Sequence, residues 1–149
     1  MAAGADPLTQ LGRRLGHAFR DRDLLLQALT HSSHANEHLG ERDNGALAFL
    51  GDAVLALVVG EEVWRAHPDE PEGLLTPRRA ALVSGANLAR WAAAIDLGPF
   101  LRLGRGEEQM GGREKESLLA TALEAVLAVV YLEAGLDGAR RAVAALAPW

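Results

Sequence analysis

The sequence predicts an all-α fold in a single domain spanning residues 1–149, and three observations predict it. Ala, Leu, Arg and Glu recur throughout while Ile, Tyr and Phe are scarce, which favours helix over strand. Two long segments, from Asn44 to Arg65 and from Ser117 to Ala134, are so rich in apolar residues that they read as buried central helices. No stretch shows a convincing apolar–polar alternation, and the punctuation between segments is that of helix caps.

Taken in order, Leu8, Leu11 and Leu15 share one face of a first helix running from Pro7-Leu8 to Gly16. Asp21 is placed to cap a second helix through Leu29, and the polar run His31 to Asp43 reads as a loop. The first long helix follows. Gly51, Asp52 and Gly60, then Glu61 and Glu62, interrupt its apolar run, so it is not read as a membrane span, which needs roughly 20 uninterrupted apolar residues. His67 to Leu75 is turn-rich. Thr76-Pro77 predicts a helix start, with proline at the first helical position, through Val83. Ser84 opens another helix ending near Asp96-Leu97-Gly98. Gly104 to Gly112 reads as a glycine-rich loop, and it lacks the Gly-Lys-Ser/Thr ending of a phosphate cradle. Gly135 is placed to stop the second long helix, and Asp137 to cap a last one running toward Pro148. Trp64 and Trp91 read as core or core-edge residues.

Composition narrows the partners. There is no cysteine, so disulfides and thiolate metal sites are excluded and a reducing, cytoplasmic setting is expected. Met1 to Gln10 lacks the basic patch and apolar run of a signal peptide. The net charge is −5 with a single lysine, Lys115, whereas a domain binding duplex RNA strongly by itself is usually basic. Phosphate contact would have to come from a local cluster: Arg78, Arg79, Arg105, Arg113 and Lys115, with Arg102 nearby in sequence, are the candidates, set against a reading as ordinary solvated surface. His31, His34 and His38 invite a metal reading, but no acid or cysteine evidently completes it, and they are read as loop and capping residues.

Each long helix carries a lone acid among apolar neighbours, Asp52 in the first and Glu124 in the second. A carboxylate so placed is costly unless it is paired, hydrogen-bonded, metal-bound or facing water. Helices packed side by side lie ~8–10 Å apart, so two such acids can share one hard cation, with the carboxylates roughly 4–8 Å from each other.

Asn44-Gly45-Ala46-Leu47-Ala48-Phe49-Leu50-Gly51-Asp52-Ala53-Val54-Leu55 resembles the ribonuclease III signature, in which Asn-Glu-Arg-Leu-Glu-Phe-Leu-Gly-Asp precedes a small residue and Val-Leu. Leu29 to Glu37, Leu75 to Ser84, Leu103 to Glu108, Gly111 to Ser117 and Leu118 to Gly135 resemble the family's other blocks, in order and over nearly the whole chain. The resemblance implies a twofold dimer through the two central helices, with Phe49 as a knob into the partner and Leu50 and Val54 beside it. It implies an Mg²⁺-dependent endonuclease acting on double-stranded RNA. It implies four acids, two at i, i+4 in the signature helix and two at i, i+3 in the later one. Here Asp52 and Glu124 match, while the other two positions hold Ala48 and Thr121, and the further acidic position beside Asn44 is Gly45. Catalysis and metal binding thus rest on Asp52 and Glu124 alone, and Mg²⁺ is expected to be weakly held or absent.

The expected function is a catalytically degenerate domain, acting as a dimeric RNA-associated scaffold or as the silent half of a heterodimer with another ribonuclease III-type subunit. One alternative is an active endonuclease in which Asp52 and Glu124 suffice or are helped by Glu41 or Asp43. Another is a dimeric protein-interaction module without RNA. No double-stranded-RNA-binding domain is expected within the chain, and no membrane association.

Overall fold

A computed structural model describes residues 6–147; the predicted approach of the last helix to Pro148 and the first five residues of the N-terminal segment lie outside them. The described α-helices are α1 (Pro7–Arg14), α2 (Arg22–Ala28), α3 (Ser32–Glu37), α4 (Gly45–Ala66), α5 (Glu72–Leu82), α6 (Gly85–Ala94), α7 (Arg105–Gln109) and α8 (Glu116–Leu146), with short 3₁₀ turns at Gly98–Phe100 and Gly112–Glu114. Among the described residues there is no strand, only an isolated bridge between Thr30 and Arg102.

The central helix is α8. Leu123, Val126, Leu127, Val129 and Val130 have no exposed surface. Helix α4 lies along it, α6 and α2 pack against other parts of it, and α5 rests on α4. Length and apolarity alone would let α8 cross a membrane. In the fold its middle is covered on all sides by other helices. Gly135 interrupts it as predicted: its φ of +66° and ψ of −166° are incompatible with continued helix, and a residue without Cβ adopts them without strain. Asp21 accepts from the Leu24 amide and Ser84 from the Asn87 amide, so both predicted caps are made.

Other boundaries differ from the sequence expectation. Helix α5 starts after Pro71 rather than at Pro77, because the amides of Leu74 and Leu75 bond back to the Pro71 carbonyl. Pro77 therefore sits inside the helix, where the bond it cannot make is the one to Gly73 in the first turn. The predicted loops His31–Asp43 and Gly104–Gly112 contain α3 and α7. Neither helix buries a residue, so neither leaves an apolar period to read. His31 initiates α3, its Nδ1 accepting from the Ser33 amide at 3.1 Å. Trp91 is in the core as expected, but Trp64 is 64 % exposed on α4.

One buried polar knot ties the N-terminal helices to α8. Glu133 accepts from the His17 ring at 2.9 Å, the Arg20 amide at 2.9 Å and the Asp21 amide at 2.8 Å. Burial pulls its pKa up, but the Asp21 and Arg20 amides and the His17 ring outweigh it and hold the carboxyl below its ordinary value. A depressed folded pKa contributes stability above the unfolded value, and that contribution is lost as pH falls through the folded one. Glu133→Gln is expected to cost about 1–3 kcal/mol at neutral pH, since its single accepting oxygen leaves one of the two backbone amides without a partner. The difference from the parent should shrink once both side chains are neutral in acid, below the ordinary carboxylate range. Urea titrations at neutral and acidic pH read this directly; an equal deficit at both would contradict the assignment.

Candidate functional site: two acids where the central helices cross

The site is built from the entry of α4 inward. Buried Asn44 donates its amide N–H to the Thr30 carbonyl at 2.9 Å and its side-chain N–H to the Ala28 carbonyl at 3.0 Å. Asp43 accepts from the Gly45 amide at 2.9 Å. Two turns on, α4 meets α8 backbone to backbone. A Cβ added at Gly51 would lie 1.7 Å from the Glu124 carbonyl oxygen, so only glycine permits this crossing. Since the helices touch at Gly51 and Glu124, the next residue of α4, Asp52, comes beside the Glu124 side chain.

The Asp52 carboxyl lies close enough to that of Glu124 to act on its protonation. Asp52 is exposed and Glu124 half-buried, so the pair sits at the edge of the helix crossing with one side open to water. Burial first, then the hydrogen bond to Asp52 and its charge, push the Glu124 pKa up to about 7. Near neutral pH the Glu124 carboxyl therefore carries a proton much of the time. Because the folded pKa is raised, this acid favours the folded state at low pH and progressively opposes it as pH rises from about 4.5 through about 7. The two acids expected to meet thus lie within each other's electrostatic reach.

The surroundings are poor in charge. Ala48, one turn before Asp52, is 9 % exposed, and Thr121, one turn before Glu124, is half-buried. Neither proposed helper points here. Glu41 is held by Arg102 at 3.1 Å and lies beside His34, and Asp43 is occupied with the first turn of α4.

The cationic candidates scatter. Arg113 bonds to the Gly98, Pro99 and Leu101 carbonyls and to Glu108, which makes it a brace of the loop before α8. Lys115 pairs with Glu107, and Arg78 makes a two-pronged bond to Glu70. Arg102 serves Glu41 and Thr30. Of the predicted set, Arg79 and Arg105 keep guanidinium groups without a bonded acid.

The apolar face divides similarly. Phe49 is 82 % exposed, as a knob requires, whereas Val54 is 5 % exposed and belongs to the core. Val54 is therefore not part of a face open to a partner, because its position on α4 points it at α8. Leu50 is half-buried against the same core. The sequence reading missed the rest of the outer stripe. Ala53, Leu57 and Trp64 follow Phe49 at intervals of four, four and seven, which is one helical face, and all are exposed.

This all-helical fold, with its two central helices crossing at a glycine, is one the chain shares with solved nuclease domains. The structure superposes on the nuclease domain of ribonuclease III from Campylobacter jejuni with a TM-score of 0.87 and 40 % identity, over 93 % of this chain and 94 % of that one. That structure is described as showing flexibility in a region involved in dimer formation. A family model described as Ribonuclease-III-like matches residues 21–147. Ribonuclease 3 of Caldanaerobacter subterraneus subsp. tengcongensis is 49 % identical over 91 % of this chain and 60 % of its own length. Ribonuclease 3 of Streptomyces coelicolor is 51 % identical over 91 % of this chain and 49 % of its own length. The chain belongs to the ribonuclease III-like family, and it spans roughly half to three-fifths of the length of those two relatives.

Proposed function

We propose that this chain is a catalytically degenerate ribonuclease III-type domain, acting as a dimeric RNA-associated scaffold or as the silent subunit of a heterodimer. The observation that carries the reading is the Asp52–Glu124 pair: two carboxyls brought together where the central helices cross, with Ala48 and Thr121 where further acids would complete the set. Mg²⁺ takes oxygen donors, typically one or two carboxylates with waters and substrate phosphates. Asp52 and Glu124 fit one such ion at most, and Glu124 must give up its proton to serve it. A cation held there would offset charge on a phosphate. Two ions, the arrangement that clamps both attacking and leaving oxygens, need more donors than these residues supply. Ala48 offers no oxygen and Thr121 only a neutral hydroxyl, so the groups that would orient an attacking water are thin.

RNA contact falls to Arg79 and Arg105, with Arg78 able to exchange Glu70 for phosphate. With a net charge of −5 this contact is weak without a partner. In a mixture of purified chain, long duplex RNA and Mg²⁺ or Mn²⁺, the expected result is salt-sensitive binding with the RNA left intact. Cleavage at an ordinary enzymatic rate that Asp52→Asn abolishes would establish the active endonuclease instead.

Dimerisation rests on the outer stripe of α4. Phe49, Leu57 and Trp64, at 82, 52 and 64 % exposure, form an apolar face of the kind that marks an interface. Between α4 and α5 lies a groove of about 510 Å³ lined by Ala56, Leu57, Gly60, Val63 and Leu75, with Glu61, Glu72, Thr76 and Arg79 also on its wall. In a twofold pairing of α4 helices, the partner's knob would reach this groove. Phe49→Asp is expected to convert a dimer at micromolar concentration into a monomer in light scattering. An unchanged dimer mass for this variant would move the interface elsewhere.

A further inference from the structure

We propose that His34, His38 and Glu41 form a binding site for a borderline divalent transition metal of the Zn²⁺ type, separate from the Asp52–Glu124 pair and independent of how that pair is read. The sequence reading set the histidines aside because no acid completed them. Helix α3 changes that. His34 and His38 are one turn apart, so their rings stack, with centroids 3.9 Å apart and planes 11° from parallel. The chain then turns back, the Glu41 amide donating to the His38 carbonyl at 3.2 Å, which brings the Glu41 carboxylate alongside. One ligand atom from each of the three residues lies within 4.8 Å of the others.

Three details suit a metal better than a solvated surface cluster. Nε2 of His34 is buried and lies 2.7 Å from Oε2 of Glu41, so two would-be ligand atoms already face each other inside the cluster. Nδ1 of His38 bonds to the His34 backbone carbonyl at 2.8 Å, which places its proton there and leaves Nε2 with a free lone pair. Arg102 donates to Oε1 of Glu41 at 3.1 Å, which orients the carboxylate and turns Oε2 toward His34. Outer partners of this kind, a carbonyl behind a histidine and a donor behind a carboxylate, are what fix metal ligands in place. Donors on a tetrahedral Zn²⁺ at bond lengths of ~2.0–2.1 Å stand about 3.3 Å apart, a separation the exposed His38 side chain can reach by a small rotation. Two imidazoles and a carboxylate leave a fourth position for water. Mg²⁺, which demands oxygen, is not the cation for this set.

The position gives the site a consequence. Glu41 lies in the connection between α3 and α4, and Asn44, three residues on, anchors the start of the helix that carries Asp52. A bound ion would staple that connection to α3.

The test is calorimetric titration of the untagged chain with ZnCl₂ in a non-chelating buffer containing millimolar Mg²⁺. One Zn²⁺ per chain is expected, bound about tenfold or more weaker in His38→Gln and in Glu41→Gln. The melting temperature should rise with Zn²⁺ in the parent and not in those variants. Asp52→Asn should bind Zn²⁺ like the parent. His17, His31 and His67 are present in every variant and report adventitious binding. His38 and Glu41 are surface residues, so both variants should fold, as circular dichroism will show; His34→Gln adds a third if it folds. No Zn²⁺ uptake by the parent would reduce the cluster to a His34–Glu41 ion pair, and equal affinity in His38→Gln would place the ion elsewhere. Either result overturns the site.

Discussion

The double variant Ala48→Glu, Thr121→Asp is expected to cut duplex RNA in the presence of Mg²⁺ where the parent leaves it intact. Each substitution returns a carboxylate to the helical face that already carries one. Residue 48 lies four before Asp52 and residue 121 three before Glu124. Loss of groups that stabilise developing charge or orient water commonly costs several kcal/mol of transition-state stabilisation, on the order of 10³-fold or more in rate. Restoration is expected to recover a gain of that order over the parent, with each single variant well below the double. The added acids also change the electrostatics of the pair. More negative charge raises the cost of ionising Glu124 in the free protein and increases affinity for a divalent cation, so activity should become steeply Mg²⁺-dependent. Ala48 is only 9 % exposed, so the new glutamate must run out along the edge of the core, at an overpacking cost of about 1–3 kcal/mol. The melting temperature of the variant should be measured before its activity is judged. Asp52→Asn in the restored background should silence it again. A well-folded double variant that remains silent would remove Ala48 and Thr121 as the basis of the proposed inactivity.

Gly51→Ala is expected to be the most damaging single methyl in the chain. The added carbon would lie 1.7 Å from the Glu124 carbonyl oxygen and 2.5 Å from its carbonyl carbon. These are backbone atoms in the middle of α8, so no side chain can swing aside. Relief requires the two central helices to move apart, and that movement loosens the packing around Leu55, Leu123 and Leu127. Overpacking costs typically 1–3 kcal/mol where side chains can adjust. Here the loss should exceed about 3 kcal/mol, a fall in melting temperature of at least roughly 6–12 °C for a domain of this size. Gly73→Ala is the control. It sits in α5 with open space around it and should be neutral or slightly stabilising, since alanine is the better helix former. The same helix separation would pull Asp52 from Glu124, so in Gly51→Ala the Glu124 pKa should drop back from about 7 toward its ordinary value, a change visible by carboxyl NMR. A variant melting within a degree or two of the parent would contradict the crossing geometry.

What the sequence determined by itself is the set of features written in local chemistry or in long periods. The all-helical class, the two central helices, the caps at Asp21 and Ser84 and the break at Gly135 follow from residues acting within one turn of themselves. The pairing of Asp52 with Glu124 was legible as well, because a lone acid in each of two apolar helices has few affordable places to go. Tertiary structure decided everything that depends on which face of a helix meets which neighbour. Helix α4 is apolar nearly all round, and composition could not say that Val54 turns inward while Phe49, Leu57 and Trp64 stay outside. Nor could it foresee that Arg113 and Lys115 would be consumed by a loop brace and an ion pair, since a cation's partner is chosen by fold-level proximity. Helices α3 and α7 were invisible because they bury nothing and so carry no period. The meeting of Glu41 with His34 and His38 went unread for the related reason that Arg102, which holds the Glu41 carboxylate, lies far away along the chain. Local propensity is encoded where it acts; the company a side chain keeps is encoded only by the packing of the whole.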